Sequence, residues 1–468
     1  MQTRKDLYQA HRLMQQRLGM ALLQAEPDVP ETPMRRHNVA MFSGVLVGVL
    51  IVAAFGIWGM LKPGAATNLE EPGQLLIEEE TGAKYVYSQE QKRLLPVANY
   101  VSALLLLDAP DFTVRNVSTA SLAQYPRGPL VGIAGAPDSL PSRDKLVKGP
   151  WSVCVTEAPD KTGAKVPYVT LLGGSEVGGT RLGHEALVVT DGDEKWVVWN
   201  DKRMKVGDSG VQALNARPRT VPATWINAIP PGPDLMAPKI PQLGKKVRGP
   251  DGSTAAVGQV YTVNGMGGGT ARWYVLLADG LAPINLTQAT LLLEDPAIAR
   301  AYGNERAQPL EIDAATANAR PLAPSLTVGG LPTSLPKVVT TSGPLCSVYA
   351  NTQNGSARAG VTVGSTIDIP VPSARGDQEH FDQVVLPAGS ATLGGVLPGD
   401  GKKAFVQTYF LISDQGRRYP LHSAEQINKL GYGAEDVAPV PNNLVHLIPE
   451  GPALDPAKAL SPVQVTAQ

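Results

Sequence analysis

Cysteine is nearly absent from this chain: two occur in 468 residues. Neither forms a Cys/His metal spacing, and the six histidines, at 11, 37, 184, 380, 422 and 446, are scattered and make no HExxH. No GxSxG elbow is present for a serine nucleophile. A phosphate-binding P-loop needs GxxxxGK[ST] between a strand and a helix. Gly265 to Thr270 lacks its lysine, and Gly399-Asp-Gly-Lys-Lys403 lacks both the first glycine at the right distance and the Ser/Thr. Both stretches read as turns, and Gly376-Asp-Gln-Glu-His380 reads as a charged loop. No catalytic residue, metal ligand or cofactor site is assigned. Charge of one sign is also missing, with 41 basic against 42 acidic residues, so no field draws nucleic acid, which is set aside as a partner. Aromatics are sparse at 5%, while glycine and proline supply roughly a fifth of the residues, which predicts turns and short strands rather than long helices.

One long apolar run stands out. Residues 39–61 carry no charge, and at a rise of ~1.5 Å per residue such a helix crosses a hydrocarbon core of ~30 Å. A cleaved signal peptide has a shorter apolar core nearer the N-terminus, so this helix is expected to remain as an anchor. Arg4, Lys5, Arg12, Arg17, Arg35 and Arg36 precede it; Lys62 and then Glu70, Glu71 and Glu78 to Glu80 follow. That asymmetry predicts a single-pass protein of the cytoplasmic membrane, with residues 1–38 in the cytoplasm and everything after Lys62 extracytoplasmic. ATP is essentially absent on that side. Within the span, Ala40, Gly44 and Gly48 recur every four residues, spacing that would let a second helix backbone approach closely.

The cytoplasmic arm opens on Thr3-Arg-Lys-Asp6, a capping-box pattern. Leu7, His11, Met14, Leu18 and Leu22 then recur at helical spacing to Ala25. Pro27, Pro30 and Pro33 end that helix. A lone amphipathic helix of this size is marginal in water, so it is expected to dock on a partner protein, with the lipid surface as the alternative.

Beyond the membrane the chain repeats itself. A strand, a turn and a return strand appear at Tyr85-Val-Tyr87 with Leu94 to Val97, at Leu187 to Val189 with Asp191-Gly192 and Trp196 to Trp199, at Tyr274 to Leu277 with Asp279-Gly280, and at Phe410 to Ile412 with Tyr419 to Leu421. Exits match too: Val221-Pro222 runs to Pro230-Pro-Gly-Pro233 and Leu235 as Val440-Pro441 runs to Pro449-Glu-Gly-Pro452 and Leu454. The resulting map has a linker at 62–72 and four repeats at 73–127, 181–236, 255–320 and 401–455. Residues 128–180 and 321–400 form a central domain in two parts, and 456–468 are a tail.

Each part of that central domain holds one cysteine behind the same phrase. Gly135-Ala-Pro-Asp-Ser-Leu-Pro141 leads to Cys154, and Gly330-Leu-Pro-Thr-Ser-Leu-Pro336 leads to Cys346. Matching positions in a duplicated unit suggest partners across a pseudo-two-fold, joined by a disulfide; the alternative is two buried thiols. An extracytoplasmic location permits the bond, which would clamp the base of an excursion made of repeats two and three. The expected class is α+β: a short cytoplasmic amphipathic helix, one transmembrane helix, and an elongated extracytoplasmic region of four small hairpin repeats around a disulfide-clamped, mainly β central domain.

These residues resemble the EccB membrane components of the type VII (ESX) secretion systems of actinobacteria, nearly end to end. The resemblance rests on Leu76-Ile77 with Thr81-Gly-Ala83, on Gly128 to Ile133 into Ala136 to Pro141 and Trp151-Ser-Val-Cys154, and on Ala278-Asp-Gly280. Leu430-Gly-Tyr432 and Gly451 to Pro456 complete it. It implies a structural and assembly subunit of the secretion complex, associated with the EccC motor ATPase, EccD and EccE-type subunits and with itself. It also implies that Cys154 and Cys346 are paired. Some family members are described as ATPases, a property for which this chain carries no motif. The family's repeats look like those of a phage cell-wall-binding protein, which suggests contact with peptidoglycan.

Overall fold

The computed structural model describes residues 3–24, 35–61, 68–107, 112–265, 269–303, 305–319, 322–372, 374–399 and 408–463. The first helix, Arg4–Gln24, begins where the Asp6 carboxylate accepts from both the Thr3 backbone N–H, at 3.0 Å, and the Thr3 hydroxyl. This is the reaching-back half of a capping box. Leu7, Met14, Leu18 and Leu22 stay exposed along it. The second helix, Arg35–Leu61, is apolar and exposed all round, the pattern of a helix whose solvent is lipid, and is long enough to cross a membrane.

Each repeat is a four-stranded sheet rather than a hairpin alone. In the first, Gln74–Glu78, Lys84–Ser88 and Arg93–Val97 form an antiparallel meander; the helix Tyr100–Leu106 follows, and Thr113–Val117 returns parallel to the first strand. The same order recurs in the sheets that start with Leu187–Thr190, Val260–Val263 and Ala391–Leu397. Where three sequence hairpins join the second and third strands, Asp191-Gly192 in repeat two joins the first and second. Its next turn is Asn200-Asp201, with φ of 46° and 62°, the positive pair that a tight hairpin demands.

The repeated Pro-x-Gly-Pro exit has a physical cause. As the chain leaves each of these sheets it lies along the third strand and covers that edge. The Pro126 carbonyl accepts from Leu94 N–H at 2.9 Å while Gly128 N–H donates back to Leu94 at 2.8 Å. Pro230 and Gly232 do the same with Arg203, and Pro449 and Gly451 with Arg418. Glycine is required by crowding: a Cβ on Gly451 would stand 2.5 Å from the Tyr419 ring, and one on Gly128 2.5 Å from Leu95. An edge otherwise open to foreign strands is thereby closed.

The central sheet has six strands in the order Gln383–Val385, Lys165–Gly173, Trp151–Pro159, Leu345–Tyr349, Gly360–Val363 and Thr180–Arg181. It draws on both sides of the excursion. Two boundaries differ from the map expected from sequence. Arg181 belongs to the central sheet, and 391–397, placed at sequence level in the central domain, is the first strand of the fourth repeat. Repeats one and four share a core, with Leu75, Val97 and Leu104 beside Leu393, Leu411 and Ile427; Leu291 of repeat three enters the core of repeat two. Near the C-terminus, Val463 N–H donates to Leu130 C=O at 2.9 Å, which returns the chain to the segment that leaves the first repeat.

Candidate functional site

Strand pleat divides the central sheet into two faces. Val153, Val155, Leu345 and Tyr349 face one side, where they pack on Trp225, Ile226 and Ile229 from the exit of repeat two and on Val440, Leu444 and Ile448 from repeat four. Trp225 is fully buried, and its indole N–H donates to Val153 C=O at 3.1 Å. The Tyr349 hydroxyl donates to Ala228 C=O and accepts from the Asn443 amide at 2.6 Å; that amide also reaches Ala228 C=O at 2.6 Å. Burial pushes the Tyr349 phenol far up, so it stays a neutral donor. One polar knot thus joins the central sheet to repeats two and four.

Cys154 and Cys346 lie on the other face, directly opposed in the antiparallel register, and form a disulfide with their Cα atoms 4.1 Å apart. Cross-strand neighbours on this face make a row: Thr170, Cys154, Cys346, Thr362, Arg181. Val177, with 1% of its surface exposed, covers the bond together with Ile369. Its carbonyl accepts three hydrogen bonds, from Thr366 N–H at 2.8 Å, the Thr366 hydroxyl at 3.2 Å and the Ser365 hydroxyl at 3.0 Å, so two loops are tied together above the disulfide. At Gly178, φ is +66° and a Cβ would stand 2.3 Å from Thr366 Oγ1, so no other residue fits.

Beside that covering lies a hollow of about 620 Å³, lined among others by Glu176, Gly179, Arg181, Asp201, Arg358 and Thr362. Arg358 reaches Asp201 of repeat two at 3.3 Å. Elsewhere, two carboxylates are held charged. Glu78, 4% exposed, lies below the usual glutamate range because the Thr81 and Thr119 hydroxyls donate to it, with Arg127 at 4.0 Å adding to the effect. Burial pushes Asp436 up, yet the Gly433 N–H and Arg143, at 2.7 Å, outweigh it and leave it below the aspartate range.

Of the residues singled out from sequence, the structure joins Cys154 to Cys346. Ala40, Gly44 and Gly48 sit on one helix, and nothing lies within 4 Å of a Cβ at either glycine. Arg36 heads that helix; the Arg35 side chain and Lys62 lie outside the described residues. So do 266–268 and 400–403, the greater part of the two glycine-rich stretches. His380 pairs with Asp377 at 2.9 Å, and the same carboxylate accepts from Glu379 and His380 N–H groups, an ordinary turn. Among the described residues no group of three or more His, Cys, Asp or Glu is placed to hold a metal. Tyr349, Asn443, Trp225, Thr362 and Arg181 were not singled out from sequence, since only strand register brings them into place.

An apolar helix of spanning length, followed by four repeats around one disulfide-linked sheet, defines a membrane-anchored repeat protein. The chain belongs to the family described as type VII secretion system ESX-1, transport TM domain B, whose model matches residues 1–467. It is 28% identical over 463 residues to the ESX-3 secretion system ATPase EccB3 of Mycobacterium tuberculosis, covering 92% of this chain and 84% of that protein. To the ESX-5 secretion system ATPase EccB5 of the same organism it is 26% identical over 480 residues, 96% of this chain and 91% of that protein. Among solved structures, the EccB3 dimer from the ESX-3 core complex matches with a TM-score of 0.60 and 25% identity, over 83% of this chain and 99% of that one. A chain of an intact ESX-5 inner membrane complex shares the fold, with a TM-score of 0.62 and 24% identity over 100% and 97%.

Proposed function

We propose that this chain is a structural and assembly subunit of a type VII secretion complex in the inner membrane, supporting protein export together with an EccC-type motor ATPase and with EccD- and EccE-type subunits. The end-to-end family match carries this reading. Solved relatives, one of them a dimer and others in an inner membrane complex, support association with further subunits and with itself. Arg35 and Arg36 before the span and Glu70, Glu71 and Glu78 to Glu80 beyond it favour an N-terminus in the cytoplasm. In that orientation the disulfide, the four repeats and the hollow all stand outside the membrane, where a sulfur–sulfur bond persists. Its role is mechanical: the bond ties the two parts of a central domain between which repeats two and three are inserted.

The relatives' names carry the word ATPase. Nucleotide turnover by this chain would need a phosphate cradle, and the sequence has no GxxxxGK[ST]. Deleting the gene and following the complex on native gels and the export of its substrates tests the assembly role. Loss of both, restored by the full chain, is expected. A complex that forms and exports normally without this subunit would overturn it. For the catalytic alternative, the chain purified without the motor protein should show no turnover above that of a preparation lacking it.

A further inference from the structure

The row across the disulfide face ends in two side chains without partners among the described residues. Thr362 is 5% exposed, yet its hydroxyl has no hydrogen-bond partner among the described residues. Its cross-strand neighbour Arg181 belongs to the two-residue edge strand, and its side chain makes no hydrogen bond or ion pair among the described residues. Both line the hollow of about 620 Å³, a volume typical of small-ligand sites. A buried hydroxyl that donates to nothing is a cost the fold carries unless something supplies an acceptor. Arg181 beside it offers a planar fork of donors suited to a carboxylate.

The rest of the lining narrows the ligand. Arg358 is already engaged by Asp201, and Glu176 at the rim brings the count to two cations and two anions. A neutral hollow does not concentrate polyanions, so a single carboxylate on an otherwise uncharged body fits it better than phosphate chains or nucleic acid. Gly179 and Gly360 leave backbone without side chains beside the edge strand, where an extended peptide can lie. We propose that this hollow binds the free C-terminal carboxylate of a short peptide, with Arg181 and the Thr362 hydroxyl as its donors. The site goes beyond the assembly role and does not depend on it.

The test uses the full chain in detergent and tri-alanine as probe, followed by isothermal calorimetry, with the C-terminal amide of the same peptide and inorganic phosphate as the other arms. Tri-alanine should bind at least tenfold more tightly than its amide or phosphate. Arg181→Ala should weaken it tenfold or more, Arg181→Lys less, and Thr362→Val severalfold. A D-alanine version distinguishes a wall-derived source from a protein-derived one: tighter binding of the D-peptide assigns the former. Equal affinity for acid and amide, equal affinity for phosphate, or no change in Arg181→Ala would overturn the proposal. Thr362→Val keeps the side-chain volume, and an unchanged thermal midpoint in that variant separates lost binding from lost folding.

Discussion

Replacing both cysteines by alanine removes a bond that closes a loop of 192 residues. In the chain-entropy treatment such a loop is worth about 5 kcal/mol, since the term grows only with the logarithm of length. That figure assumes the whole loop is free in the unfolded state. Repeats two and three lie inside the loop and have cores of their own, around Val188 and Met204 and around Val260 and Leu292. If they stay folded when the central sheet opens, the effective loop shrinks to a few tens of residues. Each halving lowers the term by only about 0.6 kcal/mol, so close to 4 kcal/mol survives. Cys154→Ala/Cys346→Ala should therefore lose about 4 kcal/mol. Guanidinium unfolding of the full chain in detergent, followed by tryptophan emission, reads this directly because Trp151 and Trp225 are buried in the core of that sheet. Reducing the parent chain should reproduce the loss. A double variant within about 1 kcal/mol of the parent, or a reduced parent that unfolds at the oxidised midpoint, would refute the clamp.

Trp225→Ala should cost about 4 kcal/mol, because it opens a cavity in a fully buried site and removes the indole donor from the Val153 carbonyl; denaturant melts measure it. Gly451→Val should cost about 2 kcal/mol by driving its side chain into the Tyr419 ring at the exit of repeat four, while Gly431→Val, where φ is +83° but nothing lies within 4 Å, isolates the backbone contribution. Asp436 gives an acid limb. Its folded pKa lies below the ordinary 3.8, so its stabilisation is present above that value and is lost as pH falls through the lower folded one. Thermal midpoints between pH 7 and 2 should fall less steeply in Arg143→Ala than in the parent.

The elements legible in the sequence are those whose signal is local. An uncharged run of membrane length, two Asp-Gly turns and the Thr3-to-Asp6 cap, whose carboxylate accepts from Thr3 N–H, each depend on neighbours in the chain. What escaped depends on remote packing. Ala391–Leu397 carries Gly394-Gly395, which reads as a breaker, yet a Cβ at Gly394 would stand 2.3 Å from the Phe410 ring: the glycine is there so that the ring can lie on the strand. Asn200-Asp201 is a weaker turn signal in the sequence than the nearby Asp191-Gly192. At the site, two cysteines in a duplicated phrase made the pairing legible. Arg181 and Thr362 become neighbours only through register, which no short window of sequence specifies.

The duplicated phrase and the disulfide follow from one arrangement. Read as two tandem halves, the chain runs repeat, phrase, hairpin of the central sheet, repeat, and then does so again. Antiparallel pairing of Trp151–Pro159 with Leu345–Tyr349 relates those halves by a pseudo-two-fold that passes between Cys154 and Cys346. Such an axis carries repeat one to repeat three and repeat two to repeat four, and so requires the two pairings that occur, one with four and two with three. It also makes the phrases reciprocal: Gly135 of the first half lies against Pro452 in the exit of the second, and Gly330 of the second against Pro233 in the exit of the first. Each half therefore supplies the support for the other's exit. Neither carries a complete set alone, so the disulfide joins two units already committed to one another, and its contribution lies in the entropy of the connection rather than in the choice of partner.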